Sequence, residues 1–300
     1  MKKLFSAFFH SYIFSSLLIA CAGSEREYDA TGTFEATEVT VSAEQSGTLL
    51  RFALEEGDSI EAGREVGLID TTQIWLRLRQ ADATKAVYQS QKPDMEKQTS
   101  ATRQQLEKAL TEQRRYQELV GDGAAPRKML DDATNQVKVL QRQLEAQMSA
   151  LNTSTNALTE QMAATDVQKR QLAEELKKCH IVAPMSGTIL EKYVEQGEFA
   201  APGKPLFKMG DMQHMYLRAY ITSAQLQQVN IGKKVKVFAD FGNNQRREYD
   251  GTVSWISSRS EFTPKTILTD DERADLVYAV KIAVRNDGGI KIGMYGELKL

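Results

Sequence analysis

The chain is short of the materials for chemistry. Its 300 residues include three histidines and two cysteines, little from which to build a catalytic or metal centre. No GxxxxGK[ST] nucleotide loop occurs. Neither sign of charge dominates: 38 Lys+Arg against 40 Asp+Glu leave a formal net charge of −2, so there is no basic field to hold nucleic acid. Glycine and proline almost vanish from 73–120 and 127–177, where Gln, Ala, Glu and Lys crowd instead. That absence predicts long helices in the middle of the chain, set into a body whose glycine and valine predict strands. No catalytic residue, cofactor or metal is expected, at His180 and His214 included.

The first twenty residues read as a targeting segment. Lys2 and Lys3 precede a mostly apolar stretch that closes on Leu18, Ile19, Ala20 and Cys21. A hydrophobic residue three positions before a cysteine, with a small residue just before it, resembles the bacterial lipobox. That resemblance implies cleavage before Cys21 and its acylation; an ordinary signal peptide or a short membrane anchor is the alternative. Two or more acyl chains would hold the mature chain on a membrane surface. Cys179 has no partner for an internal disulfide and is expected to be a buried small hydrophobe.

Residues 43–69 align without a gap on 183–209, 140 positions later. Ala43, Ser46, Gly47 and Thr48 recur as Ala183, Ser186, Gly187 and Thr188. Leu50, Glu55, Gly57 and Gly63 recur as Leu190, Glu195, Gly197 and Gly203. The glycines of "SGT" and of "EGD" and "QGE" are expected where φ turns positive, and "TLL" and "TIL" read as short buried strands. A sheet fragment this small cannot bury its own apolar face. Two copies together are expected to make one flattened sandwich of about eight strands. The copies resemble lipoyl/biotinyl half-motifs. In carrier domains the turn between the halves bears a modified lysine; here Asp70 to Trp75 stand there, without one, which argues against a carrier.

Between the copies, Leu130, Val137, Leu144, Leu151, Leu158, Thr165 and Leu172 recur every seven residues, with Ala133, Leu140, Met148, Met162 and Leu176 beside them. A narrow apolar seam at this period predicts a coiled coil. Ala81, Tyr88, Met95, Ala109 and Tyr116 give the first segment a weaker seam. "GDGAAP" at 121–126 is the turn. Two helices of roughly fifty residues joined there predict an antiparallel hairpin about 75 Å long, in which the numbers of paired residues add to about 247. Pro93 breaks the first helix, and its partner by that register falls in the helix-poor run 152–156. A bend of both arms at one height is expected.

Residues 211–300 alternate strands and turns and read as a small β-barrel, to which 29–40 adds a strand. Ser223 is expected to cap a short helix, and Phe238 and Trp255 to lie in the core.

Half-motif, helical hairpin, half-motif and barrel follow one another in the HlyD-type periplasmic adaptors, or membrane fusion proteins. The chain resembles them over essentially its whole mature length, and 261–282 resembles the members that accompany ABC-type exporters. The fold class expected is α+β and elongated: a lipoyl-like β-sandwich made of two half-motifs, a long antiparallel α-helical coiled-coil hairpin inserted between them, and a small β-barrel. The divisions are a lipoprotein signal peptide at 1–20, an anchor linker and barrel strand at 21–40, half-motifs at 41–71 and 180–210, the hairpin at 72–179 with its tip near 121–126, and the barrel at 211–300. In the family the tip carries Arg, Leu four on and Ser seven further, then Asp and Ala. Arg115, Leu119, Asp131 and Ala133 match; Pro126 stands at the Ser position and cannot donate a hydrogen bond, although proline suits a first helical position. The resemblance implies that Leu119 packs on a TolC-like outer-membrane channel while Arg115 bonds polar groups there. It also implies an inner-membrane exporter as partner, ABC-type favoured, a homo-oligomer in the form of a hexameric ring, and a periplasmic place on a lipid anchor in the inner membrane of a Gram-negative bacterium. A structural envelope coiled-coil lipoprotein without transport, or a lipoyl/biotinyl carrier subunit, is the alternative.

Overall fold

Glycine-punctuated apolar stretches form strands here, and the glycine-poor middle forms helices. The computed structural model describes residues 28–243, 245–261 and 276–300. The elements run β1 (Ala30–Ser42), β2 (Gly47–Phe52), β3 (Ser59–Ile60), β4 (Glu65–Ile69), α1 (Thr72–Gln91), α2 (Met95–Gly121), α3 (Arg127–Lys177), β5 (His180–Val182), β6 (Gly187–Lys192), β7 (Phe199–Ala200), β8 (Pro205–Thr222), α4 (Ser223–Leu226), β9 (Lys234–Asp240), β10 (Arg246–Ile256), β11 (Val277–Arg285) and β12 (Tyr295–Lys299).

The two repeat copies make one sandwich by exchanging strands. One layer holds β5, β4, β2 and β7; the other holds the end of β1, the start of β8, β6 and β3. Strand β2 of the first copy pairs with β7 of the second, and β6 of the second pairs with β3 of the first. The backbone bonds come in twins 140 residues apart with the copies swapped. Gly57 N–H donates to the Ile189 carbonyl at 2.9 Å, and Gly197 N–H to that of Leu49 at 2.8 Å. Gly63 donates to Ala183 and Gly203 to Ala43, both at 2.8 Å. Gly57 and Gly197 need their left-handed φ of 96° and 90° to aim these donors. Gly187 departs from the expectation for "SGT": its φ is not left-handed. Its cause is space, because a Cβ there would stand 2.5 Å from the Gly210 carbonyl oxygen. The core is twinned as well: Leu49 and Ile189, Leu54 and Val194, Val66 and Leu206, and Ile69 and Met209 are all buried in one cluster. Leu50 faces solvent, so "TLL" buries alternate residues only.

The helical insert leaves and re-enters at one place. Strands β4 and β5 pair antiparallel, and Ile69 N–H donates to the Cys179 carbonyl at 2.9 Å. Ile74 and Leu172 extend the sandwich core into the first turn of α1 and the last turns of α3. Cys179 is fully buried, and burial pushes its thiol pKa up. Asp70 stands where a carrier would hold its lysine turn; it accepts from Thr72 N–H and Oγ1 at 2.9 and 2.6 Å and starts α1.

Helices α1 and α2 lie antiparallel along α3. Gln113 Nε2 donates to Thr134 Oγ1 at 3.2 Å, a pair whose numbers add to 247. Closer to the sandwich the register has slipped: Arg77 meets Glu175 at 2.8 Å and Lys85 meets Asp166 at 2.7 Å, pairs that add to 252 and 251. The slip falls across Lys92, Pro93 and Asp94, between α1 and α2. The second arm has no break at that height: α3 runs unbroken through 152–156. Thr153 ties its hydroxyl to the Ser149 carbonyl at 3.0 Å, and Thr159 just beyond the run ties its own to the Thr155 carbonyl at 2.8 Å, while the buried Thr155 Oγ1 meets no partner. The seam follows the seven-residue period: Val137, Thr165 and Leu172 are buried, and Leu130, Leu144, Leu151 and Leu158 are half-buried.

Six strands close the barrel in the order β1, β12, β9, β10, β11 and β8, with β8 returning to β1. Phe34, Leu217, Val237, Ile282 and Leu298 fill it. Three expectations fail here. Trp255 is 41% exposed: the β10–β11 register shifts between Val253 and Trp255, and one extra residue turns every later side chain to the opposite face. Phe238 is only half-buried and packs against Tyr28 in a tilted arrangement, with ring centroids 5.1 Å apart. The short helix α4 is capped by Thr222 rather than Ser223, in a capping box with Gln225.

A candidate docking tip

Helix α2 ends in a Schellman motif. Gly123 N–H donates to the Val120 carbonyl at 3.2 Å, Ala124 N–H donates to that of Leu119 at 2.8 Å, and Gly123 takes φ 72°. Asp122, Gly123 and Ala124 are exposed. Helix α3 starts at Arg127 with Pro126 as its N-cap, at φ −70° and ψ 140°. Pro126 therefore stands one place before the first helical position expected for it. It offers no side-chain cap, and its carbonyl accepts from Met129 N–H at 3.0 Å.

Arg115 and Leu119 are one turn apart and share a face of α2. Arg115 is exposed, with its guanidinium 3.8 Å from Glu112; Leu119 is half-buried. Asp131 is exposed on α3, and Ala133 is half-buried on the seam. The Gln113–Thr134 bond places Arg115, near the end of α2, and Asp131, near the start of α3, at the same height. All four positions thus collect around the turn. Sequence reasoning missed Met129, a large apolar side chain 47% exposed two residues into α3; its place just past a Gly- and Pro-bearing turn was the available signal. Cys21 lies outside the described residues.

Chemistry finds little purchase elsewhere. Glu65 accepts from Arg51 and lies 2.8 Å from His180 Nδ1, and Asp211 lies 2.9 Å from His214 Nδ1. Among the described residues no group of three or more His, Cys, Asp or Glu could hold a metal ion, and no helix is long and apolar enough to cross a membrane.

The interleaved sandwich is the feature that sorts this chain among known proteins. The family model for the RND MFP barrel-sandwich hybrid domain matches residues 37–209, more than half of the chain. The chain belongs to the membrane fusion protein family. Among curated proteins of similar sequence, a UPF0194 membrane protein of Citrobacter koseri is 28% identical over 88% of this chain and 85% of its own. Another, from Acidithiobacillus ferridurans, is 24% identical over 90% and 86%. Two solved membrane fusion protein structures share the fold. MacA from Actinobacillus actinomycetemcomitans is 20% identical, with a TM-score of 0.56 over 90% of this chain and 76% of MacA. Spr0693 from Streptococcus pneumoniae R6 is 15% identical, with a TM-score of 0.52 over 90% and 97%.

Proposed function

We propose that this membrane fusion protein is the periplasmic adaptor of a tripartite efflux or secretion system. In this reading 72–179 is a coiled-coil hairpin that projects from a sandwich built of 41–71 and 180–210. Its tip, near 121–126, docks on a TolC-like outer-membrane channel. Leu119 and Met129 supply apolar contact there, and Arg115 and Asp131 supply polar contact. Pro126 withdraws the donor that the family's serine offers. The barrel at 211–300, with a strand from 21–40, faces an inner-membrane exporter, for which the ABC class is favoured by the character of 261–282. Acylation of Cys21 holds the chain on the inner membrane, and copies assemble into a hexameric ring. In this reading the chain itself makes and breaks no bond of the cargo; its work is geometry and interface energy.

The observation that carries the proposal is the clamp at the root of the helices. Strands β4 and β5 are neighbours, Ile69 bonds to Cys179, and Ile74 and Leu172 enter the sandwich core. A helical pair so rooted can hold a distant turn at a fixed place. Deleting 110–135 should abolish export while the sandwich, the barrel and membrane attachment remain. Export activity, thermal unfolding and membrane fractionation read these separately, and export that survives the deletion defeats the docking role. Co-purification with candidate exporters of the ABC and RND classes decides the pump, and finding neither exporter nor channel favours the purely structural alternative.

A further inference from the structure

The barrel has two rims. At one, β1 and β8 run on into the sandwich. At the other lie Asp29, α4 and the turn that leads into β9. Asp29 N–H donates to the Leu298 carbonyl at 2.9 Å, and Gln225 of α4 reaches the Asp29 carbonyl at 2.6 Å. The chain that begins at Met1 therefore joins the fold at this second rim.

That rim presents apolar side chains to water on fixed backbone. Ile231 is 69% exposed and Trp255 41%. Gly232 N–H donates to the Val253 carbonyl at 2.8 Å, Val253 N–H to that of Lys233 at 2.9 Å, and Lys233 N–H to that of Asn230 at 3.0 Å. These bonds lock the turn carrying Ile231 against β10, two residues ahead of Trp255. Trp255 faces outward only because of the bulge before it. Lys233 and Lys234 follow Ile231, and exposed Arg259 follows Trp255. Among the described residues of the same rim, Asp29 accepts from Leu300 N–H at 2.8 Å, and Glu261 pairs with Arg218 at 3.0 Å. An indole and a branched aliphatic side chain beside lysines is the chemistry of a bilayer interface. Tryptophan settles at the headgroup level, and lysine is drawn to anionic lipid.

We propose that Ile231, Lys233, Lys234 and Trp255 form a contact surface for an anionic phospholipid bilayer. The proposal rests on the reading of Cys21 as a lipid anchor. Six residues separate Cys21 from Tyr28, a reach of at most about 25 Å, so the anchor keeps this rim near lipid. A covalent tether alone leaves the protein free to tumble. A tether with a seated rim fixes its facing, with sandwich and helices turned away from the membrane.

The full lipidated protein in bilayer discs tests this. The discs contain phosphatidylcholine and phosphatidylglycerol brominated at the headgroup end of the acyl chains. Two tryptophans make it practicable: Trp75→Phe leaves Trp255 as the only emitter, and Trp255→Phe leaves Trp75. Trp255 emission should be lost to bromine and shift to the blue, while Trp75 emission stays. Ile231→Asp, and Lys233→Glu with Lys234→Glu, should each reduce the loss with circular dichroism unchanged. Acylated protein in which Trp255 is quenched no more than Trp75 overturns the lipid contact and leaves the anchor standing. Equal quenching in pure phosphatidylcholine discs overturns the anionic preference. Trp255 silent to bromine but shielded by an added exporter gives the rim to protein and overturns the proposal. Intact mass reads the acyl chains on Cys21 independently. If they are absent the anchor reading fails, and quenching of Trp255 by added discs still decides the surface by itself.

Discussion

Single side chains decide where the barrel closes. Asn286 is buried, and its amide meets four backbone groups: it accepts from Gly288 and Ile290 N–H at 3.0 and 2.9 Å and donates to the Met212 and Ile290 carbonyls at 2.8 and 2.9 Å. It thus ties the loop after β11 to the middle of β8. Asn286→Ala strands those groups without water, at a cost of about 3 kcal/mol in global stability. Urea unfolding should show it, and Asn286→Asp should recover the two accepted bonds only. Nothing in the sequence singled Asn286 out, because an asparagine before "DGG" reads as an ordinary turn residue. Trp255 was misread for a related reason. Alternation along β10 points it inward, and a bulge is set by strand pairing that the local sequence does not display. Cys179 was legible because a lone cysteine entering an apolar strand has few other uses.

The helices show which local signals survive packing. Pro93 was legible as a break, since proline removes a donor and clashes with the preceding turn at a cost of about 3 kcal/mol. The polar run 152–156 was not a break: each such residue costs only about half a kcal/mol against alanine, and the seam on either side outweighs that. The slip from 247 to 251 or 252 was invisible in sequence, because no pattern tells how many residues a break takes up. At the restart of α2, the Asp94 carboxylate accepts from Lys97 N–H at 3.1 Å. That bond, and then the Lys97 side chain, hold its carboxyl below the usual aspartate range. The sign follows. A carboxyl lowered in the folded state gives its stabilisation fully above the ordinary aspartate value, near pH ~4, and loses it as pH falls through the lowered value. The protection of the Lys97 amide, taken relative to its intrinsic exchange rate at each pH, should therefore fall on acidification below that point. In Asp94→Ala that protection should be low at every pH, with the rest of α2 protected in both. An amide equally protected in the two proteins removes the cap from the account.

At the scale of the whole molecule, the repeat was the most legible feature, because an ungapped match that keeps glycine and core positions together leaves few folds open. What the repeat could not tell was the exchange: each copy completes the other's layers, so neither is a folding unit. Residues 28–179, with the first copy alone, should not unfold cooperatively. The helices stand in a different relation to the sandwich. They enter and leave through β4 and β5, which already pair as neighbours. Joining Asp70 to Cys179 through an Asn-Gly turn should therefore make an ordinary β-hairpin and leave every cross-copy bond in place. The loss is the cover that Ile74 and Leu172, with the half-buried Leu78 and Leu176, give the core. Uncovering side chains of this kind costs about 2 kcal/mol each where they are fully buried, so the shortened chain should melt lower yet in a single transition. Calorimetry checks the transition, and amide exchange at Gly57 and Gly197 checks that the twinned bonds persist. A shortened chain that collapses without protecting those two amides would mean that the helices hold the sandwich together, and a root that depends on its own lever could not aim it.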